Sequence, residues 1–319
     1  MIFTDEQEKH IQAAVHWFRD ESEQIFEISG GAGTGKTVTI MEIVRRLQLQ
    51  SYEYLPVAYT GAAAIVMRMR GFLNARSIHS TFYHLVKTEK KFDPFGEDPY
   101  KNFNTTFNIP MQEYEFIPIP VGAIPNHVKL IIIDEGYMVP KRMKYVILKH
   151  GIKVLVCGDA QQLPPISDEP AFLTGEGIHW LTQIMRQNQN NPIIYLADRA
   201  IKGLPIHCGV YGHNALVIED KDLTMDMVLK TGNIVCGTNK TRDMFNTRIR
   251  ESMGYKSDVP TYGDRVICRN NNWNIENENL ALANGLQGYI VSPIDPSRFD
   301  EKNKDVFMMD FLPDYLNTP

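Results

Sequence analysis

A glycine-rich segment near the start of the chain constrains the fold more than any other feature. Residues 30–37 read G-G-A-G-T-G-K-T and match the pattern G-x-x-x-x-G-K-[ST]. In that pattern the glycines let the backbone curl until its N–H groups face one concavity. A short apolar strand is predicted at 25–28, and a helix with Ile40 and Ile43 on one face follows the segment. Strand, loop and helix in this order predict a phosphate-binding loop in an α/β fold.

Three further apolar runs, at 55–59, 129–133 and 153–157, indicate how the rest of the sheet is built. Continuous apolar runs are typical of parallel strands that are buried on both faces. A helix is predicted over 62–70, and the T-D-E-Q of residues 4–7 has the capping-box spacing that begins a first helix. The sequence therefore predicts a parallel sheet with helices on both faces.

Two acidic residues, Asp134 and Glu135, directly follow the 129–133 run. Ligands of parallel α/β sheets bind at the carboxyl ends of strands, which places Asp134 to hold Mg²⁺ through water and Glu135 to orient or deprotonate an attacking water. Lys36 is expected to reach the β- and γ-phosphates of a nucleoside triphosphate, and the Thr37 hydroxyl to ligate the same Mg²⁺. The alternative is an acidic pair that suits the dipole of a helix start. Together these residues favour an NTP hydrolase.

One segment is more specific than the phosphate loop. Residues 158–165, G-D-A-Q-Q-L-P-P, resemble the G-D-x-x-Q-L-P-P segment of the superfamily 1B DNA helicases, the RecD- and Dda-like group. The resemblance implies a P-loop NTPase fold of RecA-like type. Other segments resemble the family in the same order: T-D-E-Q at 4–7, A-Y-T-G-A-A at 58–63, S-I-H at 77–79, L-T-Q-I-M-R-Q at 181–187, T-N-K at 238–240, G-D-R-V at 263–266 and N-G at 284–285.

The resemblance implies a role for each matched residue. Gln162 would contact the γ-phosphate or the attacking water, and Arg186 would act as an arginine finger on the transition state. Gln7 would read the edge of adenine, although the last residue of a capping box already has a structural role. Thr60, His79 and Asn239 would contact nucleic acid, with a structural role left open for Thr60 and His79. The nucleotide-binding set is completed by Gly31, Ala32, Gly33, Thr34, Gly35, Lys36 and Thr37.

The chain departs from the family pattern in three places. Tyr59 stands where the family usually has Pro, and Tyr137 stands where it usually has Ser. The H-K-x-Q-G-type and V-T-R-type segments that close the family's second motor domain do not occur before Pro319. We therefore expect a fragment, a split gene product or a chain that a partner protein completes.

The predicted domain organisation has three parts. Residues 1–84 and 126–180 are expected to form a RecA-like motor domain, and the proline-rich stretch 85–125 an inserted β-hairpin. Residues 181–319 are expected to form a partial second RecA-like domain, with the start of a further insertion near its end. Its predicted elements are helices at 192–202 and 240–253 and strands at 215–218, 234–236, 264–268 and 288–291.

Composition limits the partners and the compartment. A net charge of −5 excludes a uniformly basic coat, so any nucleic-acid site must be local. Four cysteines without a C-x-x-C pair predict reduced core thiols in a cytosolic protein. We expect a cytoplasmic chain without a targeting or membrane segment. Basic and aromatic residues that could bind a single strand occur in three regions, although a solvated helix face is the alternative for most of them. The first region has Arg68, Arg70, Arg76, Lys87, Lys90 and Lys91 with Phe72, Phe82, Tyr83 and Phe92, the second has five basic residues and no acids over 141–153, and the third has Arg242, Arg248, Arg250, Arg265 and Arg269.

The function implied by the resemblance is ATP-driven 5′→3′ translocation on single-stranded DNA with duplex unwinding, in replication, recombination or repair. ATP and Mg²⁺ are the expected cofactors, and single-stranded DNA and duplex junctions the expected partners. The alternative is a nucleotide-dependent DNA-binding accessory module, or a helicase fragment that needs a partner chain. A phosphate-loop kinase would leave the G-D-x-x-Q-L-P-P segment unexplained.

Overall fold

The computed structural model describes residues 3–88, 113–165, 168–183, 191–255, 260–268, 272–277, 280–282, 285–292 and 309–314. The chain divides into two compact units. The first consists of Met1–Arg186 with Arg265–Pro319, and the second of Gln187–Asp264. The phosphate loop and the acidic pair both lie in the first unit.

The first unit begins with alternating helices and strands. In chain order they are α1 (Asp5–Arg19), β1 (Ile25–Gly30), α2 (Lys36–Arg46), β2 (Tyr54–Ala58), α3 (Gly61–Met69), β3 (Arg76–Ser77), α4 (Ile78–Phe82), β4 (Tyr83–Thr88), β5 (Glu113–Pro118), β6 (Leu130–Asp134), α5 (Lys141–Leu148), β7 (Lys153–Gly158) and β8 (His179–Leu181).

Six of these strands form one parallel sheet in the order β3-β2-β6-β7-β1-β8. Every residue of the central strand β6 is buried. Its side chains alternate, so that Leu130 and Ile132 join one core and Ile131 and Ile133 join the other. Ile11 and Ile40 from α1 and α2 pack in the first core, and Met143 from α5 in the second. The predicted parallel sheet covered on both faces is confirmed.

Strands β4 and β5 form a separate antiparallel pair, from Tyr83 opposite Pro118 to Thr88 opposite Glu113. In the sequence they lie on either side of residues 89–112, and the inserted β-hairpin over 85–125 stays a prediction. Residues 89–112 of the predicted insertion lie outside the described residues.

The second unit contains α6 (Pro192–Ile201), the antiparallel strands β9 (Gly209–Tyr211) and β10 (Ala215–Val217), α7 (Met225–Lys230) and α8 (Asn239–Ser252). The predicted strand at 234–236 is wrong: these residues have no regular structure, and Val235 is 97% exposed. A strand persists where a neighbour takes up its N–H and C=O groups, and no strand pairs with this run in the described part of the unit.

The last described strands group with the first unit. They are β11 (Arg265–Ile267), β12 (Asn272–Asn277), β13 (Leu280–Leu282), β14 (Gln287–Ile290) and β15 (Phe311–Pro313). β14 pairs antiparallel with β11 on one side and β15 on the other, and β12 pairs with β13. The strands predicted at 264–268 and 288–291 are therefore present, as β11 and β14.

The prediction that the four cysteines lie in the core is wrong for three of them. Cys157 is buried in β7, Cys208 is exposed, and Cys236 and Cys268 are partly exposed. These three lie outside the main parallel sheet, where less apolar cover is available. None of the described helices is long and apolar enough to cross a membrane.

Candidate functional site

The phosphate loop connects the end of β1 to the start of α2. Gly33 and Gly35 have φ values of 83° and 84°, in the left-handed region that favours glycine. Gly35 is the N-cap of α2 and supplies no side-chain cap. The first N–H groups of α2 are thus left for a ligand, at the positive end of the helix dipole.

Gln7 in α1 supports the phosphate loop through a hydrogen bond. Its Nε2 donates a hydrogen bond to the Thr34 carbonyl over 3.2 Å, while its Oε1 accepts from the backbone N–H of Thr4 at 3.1 Å. The side chain is 4% exposed, and a Cβ on Gly35 would lie only 2.5 Å from Nε2. The structural role of Gln7 is therefore evident, and its contact with adenine stays a prediction.

Lys36 folds back over the loop. Its ammonium donates to the carbonyl oxygens of Gly30 at 2.6 Å and Gly31 at 3.1 Å. The Thr34 hydroxyl donates to the same Gly31 carbonyl at 3.0 Å. The cation predicted to bind phosphate is therefore held at the loop by neutral acceptors.

Asp134 ends β6 and is 8% exposed. Its Oδ1 accepts two hydrogen bonds of 3.0 Å, one from the backbone N–H of Glu135 and one from the Cys157 thiol of β7. These donors fix the orientation of the carboxylate at the carboxyl edge of the sheet. Sequence reasoning missed Cys157, because nothing in its own segment points to Asp134.

Glu135 has φ 54°, a conformation that is uncommon for a residue other than glycine. Burial raises the pKa of its carboxyl group, and the nearby charges of Asp134 and Asp159 raise it further, while Lys36 and Arg70 act in the opposite direction. A raised pKa makes a carboxylate a stronger base. Glu135 is therefore both close to the phosphate loop and suited to accept a proton.

Gly136 allows the acidic pair to approach β7. A Cβ at this position would lie 2.2 Å from Cγ1 of Val156. Gly136 begins a 3₁₀ turn, Gly136–Met138, directly after Glu135. The glycine thus lets the chain turn sharply against the neighbouring strand.

The segment after β7 is anchored to β1. The Ala160 N–H donates to the Ser29 hydroxyl at 3.1 Å, and the Gln161 N–H to Asp159 Oδ1 at 3.0 Å. Gln162 closes a turn with its N–H on the Asp159 carbonyl at 3.1 Å, and its side chain is exposed. The structure therefore brings Asp159 and the backbone of Gln162 to the same sheet edge as the phosphate loop.

Arg70 occupies an unexpected place. The sequence groups it with candidate DNA-binding residues, whereas its Nη1 donates to the Thr37 hydroxyl at 3.1 Å. No local pattern links Arg70 to Thr37, so sequence reasoning could not have found the contact. Phe72 and Phe82, from the same predicted cluster, are core residues and offer no free ring for a base.

The three residues that are predicted to contact nucleic acid lie in or next to three different helices. Thr60 caps α3, with its hydroxyl accepting from the Ala63 N–H at 3.1 Å. His79 lies in α4, 4.6 Å between ring centroids from Phe116 of β5, and burial lowers its pKa. Asn239 begins α8 in the second unit. Their contacts with DNA stay predictions.

Arg186 lies outside the described residues, but the segment that leads to it is fixed onto α1. The Glu6 carboxylate accepts from the N–H and hydroxyl of Thr182, at 2.9 and 2.8 Å, and from the Gln183 N–H at 3.3 Å. The role of Arg186 as an arginine finger stays a prediction.

The oxygens at the sheet edge fit a magnesium ion that carries a nucleotide. Mg²⁺ in such sites takes one or two protein oxygens, several waters and phosphate oxygens, rather than a cage of protein ligands. The Thr37 hydroxyl and the Asp134 carboxylate are ligands of that kind. In the described residues no group of three or more His, Cys, Asp and Glu forms a separate metal cluster.

Comparison with known proteins places this site in a family. The AAA domain family matches residues 3–207. The chain belongs to this family. As a fold, this AAA domain protein is similar to the Pif1 helicase from Candida albicans, with a TM-score of 0.51 and 17% identity over 100% of this chain and 77% of that one. This likeness confirms the predicted P-loop α/β fold of RecA-like type.

A second similar structure is the Pif1 helicase from Bacteroides in complex with ADP-AlF3 and ssDNA. It has a TM-score of 0.49 and 17% identity, over 98% of this chain and 72% of that one. No curated protein sequence matches the chain.

Proposed function

We propose that the chain is an ATP-hydrolysing DNA helicase of superfamily 1B, which translocates 5′→3′ on single-stranded DNA and opens duplexes at junctions. The observation that carries the proposal is the meeting of Lys36, Thr37, Asp134 and Glu135 at the carboxyl edge of one parallel sheet in an AAA domain. The Pif1-like fold supports the helicase assignment.

In the proposed reaction each residue of the site has a separate role. The Lys36 ammonium would leave the loop carbonyls for the β- and γ-phosphates of ATP. Thr37, and Asp134 through water, would hold a Mg²⁺ ion, which would supply positive charge against the phosphates. As the water oxygen bonds to the γ-phosphorus, the bond from that phosphorus to the oxygen of the departing ADP would break, and Glu135 would accept the water proton. Gln162 would contact the γ-phosphate or the attacking water. Arg186 stabilises the charge of the transition state.

The remaining predictions are proposed with this function. Residues 1–84 and 126–180 would form the first motor domain, 85–125 an insertion, and 181–319 part of a second motor domain. Thr60, His79 and Asn239 would contact the single strand, and Gln7 adenine. A cytoplasmic location would agree with the lack of a C-x-x-C pair among the four cysteines, and a role in replication, recombination or repair is what the family resemblance implies.

The test compares the wild-type chain with Lys36→Ala and Glu135→Gln. ATP hydrolysis is measured with and without single-stranded DNA, and unwinding on substrates with a 5′ or a 3′ tail. We expect DNA-stimulated hydrolysis, unwinding from the 5′ tail only, and loss of both activities in each variant. Glu135→Gln should still bind ATP, because it removes the base and not the phosphate ligands.

Lys221→Ala serves as the matched control, because Lys221 is an exposed residue of the second unit paired with Glu219. It should hydrolyse ATP at the wild-type rate. DNA binding that persists in a wild-type chain without any hydrolysis would instead favour the accessory module.

A further inference from the structure

The backbone of Arg70 is fixed by hydrogen bonds at the C-terminal end of α3. It is the C-cap residue of this helix, and its N–H donates to the carbonyls of Val66 at 3.2 Å and Met67 at 3.1 Å. The Phe72 N–H returns to the same Met67 carbonyl at 3.1 Å. Phe72 is itself buried in the core, so the end of α3 is anchored on both sides of Arg70.

The side chain of Arg70 extends from the end of α3 to the proposed nucleotide site. Arg70 Nη1 donates to the hydroxyl of Thr37, in the first turn of α2, at 3.1 Å. Its positive charge also acts on Glu135, as does that of Lys36. Arg70 is therefore a second cation at the edge where the phosphate loop and the acidic pair meet.

A purely structural explanation exists, because an arginine at a helix C-terminus suits the helix dipole. That explanation does not require any contact with Thr37. It also does not account for the acceptor, which is a neutral hydroxyl although Glu135 lies within electrostatic reach.

The contrast with Arg46 is informative. Arg46, the last residue of α2, is held by two carboxylates, Glu8 at 2.6 Å and Glu42 at 2.8 Å. Arg70 and Lys36 instead donate to a hydroxyl and to backbone carbonyls. Charge-assisted hydrogen bonds to an anion are about twice as strong as neutral ones, so a phosphate can displace these neutral acceptors.

We propose that Arg70 is a phosphate-binding residue of the nucleotide site, which exchanges the Thr37 hydroxyl for the terminal phosphate of Mg·ATP. This inference rests on the proposed function, in which Thr37 becomes a Mg²⁺ ligand. A divalent cation at the Thr37 oxygen repels the guanidinium, and the triphosphate offers it an anion. Arg70 would thus bind ATP in preference to ADP, from the same unit as the phosphate loop.

The experiment measures the affinity of the full chain for Mg·ATPγS and Mg·ADP by calorimetry. A hydrogen bond to a charged group contributes about 1.5–3 kcal/mol, which corresponds to about a tenfold to hundredfold change in affinity. We expect Arg70→Ala to weaken ATPγS binding by this factor and to leave ADP binding within about twofold. Arg70→Lys should recover part of the ATPγS affinity, because it keeps the charge and loses the planar fork.

Arg45→Ala is the matched control. Arg45 is an arginine of α2 whose side chain is 71% exposed and pairs with Glu42, so its loss removes the same charge away from the loop. It should change the affinity for neither nucleotide. Arg70→Gln, which keeps most of the side-chain length, replaces Arg70→Ala if the alanine variant does not fold.

The outcomes separate the alternatives. Equal weakening of ATPγS and ADP would show that Arg70 only supports the loop, and unchanged affinities would show an ordinary surface arginine; either result overturns the proposal. A wild-type chain that binds neither nucleotide overturns it as well. If wild type and variants show the expected difference but the chain unwinds no DNA, the helicase function fails while the role of Arg70 stands.

Discussion

The Cys157 thiol is one of two hydrogen-bond donors that orient Asp134. Complete burial raises the pKa of this thiol well above its ordinary value, and the Asp134 charge raises it further. The thiol therefore stays protonated at neutral pH and can donate continuously. In the proposed function Cys157 would be a positioning residue, since it would act on magnesium only through the Asp134 carboxylate.

Replacing Cys157 by Ala should weaken the magnesium site. Loss of one hydrogen bond of about 1 kcal/mol should raise the half-saturating Mg²⁺ concentration for ATP hydrolysis by roughly fivefold. Cys157→Ser keeps a donor and should lie closer to wild type. Cys208→Ala, at an exposed thiol, is the control. Equal effects of the serine and alanine variants would point to packing rather than to the hydrogen bond.

The sequence predicts some site residues and not others, for a physical reason. Lys36, Thr37, Asp134 and Glu135 each lie in or beside a local pattern that carries its own chemistry. Arg70 and Cys157 reach the site from other elements, and their contacts exist only once α3 and β7 are packed. No single segment of the sequence carries a pattern that would reveal either contact.

At the scale of the helices, Thr60 fixes the start of α3. Thr60→Ala removes an N-cap and should lower the free energy of unfolding by about 1 kcal/mol, whereas Thr60→Ser keeps the hydroxyl and should cost less than about 0.5 kcal/mol. Urea denaturation measures both. Thr174→Ala, at an exposed residue outside the helices, should be neutral. If Thr60 also binds DNA, the alanine variant alone should lose affinity for a single strand.

The sequence predicts the bounds of a strand accurately where the fold buries both faces of that strand. The runs expected at 129–133 and 153–157 appear as β6 and β7 with their ends within one residue, because both faces of these strands are covered. The run at 234–236 has the same apolar character but no partner in the described part of its unit. Apolar composition predicts a strand only where the fold supplies a neighbour, and that information is not local.

At the scale of the whole molecule, nucleotide binding should raise the free energy of unfolding. A ligand that binds only the folded state at about 100 times its Kd adds about 2.7 kcal/mol. Mg·ADP should therefore raise the Tm of the wild-type chain, and chelation of Mg²⁺ should reverse much of the shift. Lys36→Ala should show little shift, and Lys221→Ala a full one. A ligand-independent Tm in wild type would contradict the proposed site.

Stability should also fall in mild acid. Burial lowers the pKa of His150, whose Nδ1 is buried without a hydrogen-bond partner among the described residues. The unfolded chain then binds more protons than the folded one, so stability is lost as the pH falls from the ordinary value of about 6.5 through the lower folded pKa.

His150→Leu should reduce the difference in unfolding free energy between pH 7.5 and pH 5.5. The exposed His213 provides the control variant, His213→Leu, which should leave that difference unchanged. An identical pH dependence in wild type and His150→Leu would assign the acid sensitivity to other groups, such as His79 and His179, whose pKa values are also lowered by burial.

Helix α1 has a consequence for how this protein is produced in the laboratory. Through Gln7 it holds the phosphate loop, and through Glu6 it holds Thr182 and Gln183, the approach to Arg186. Gln7 is itself held by the Thr4 N–H. A recombinant version that begins inside this helix, or one that loses these residues to a contaminating protease, should therefore keep Lys36 and Thr37 but bind nucleotide more weakly.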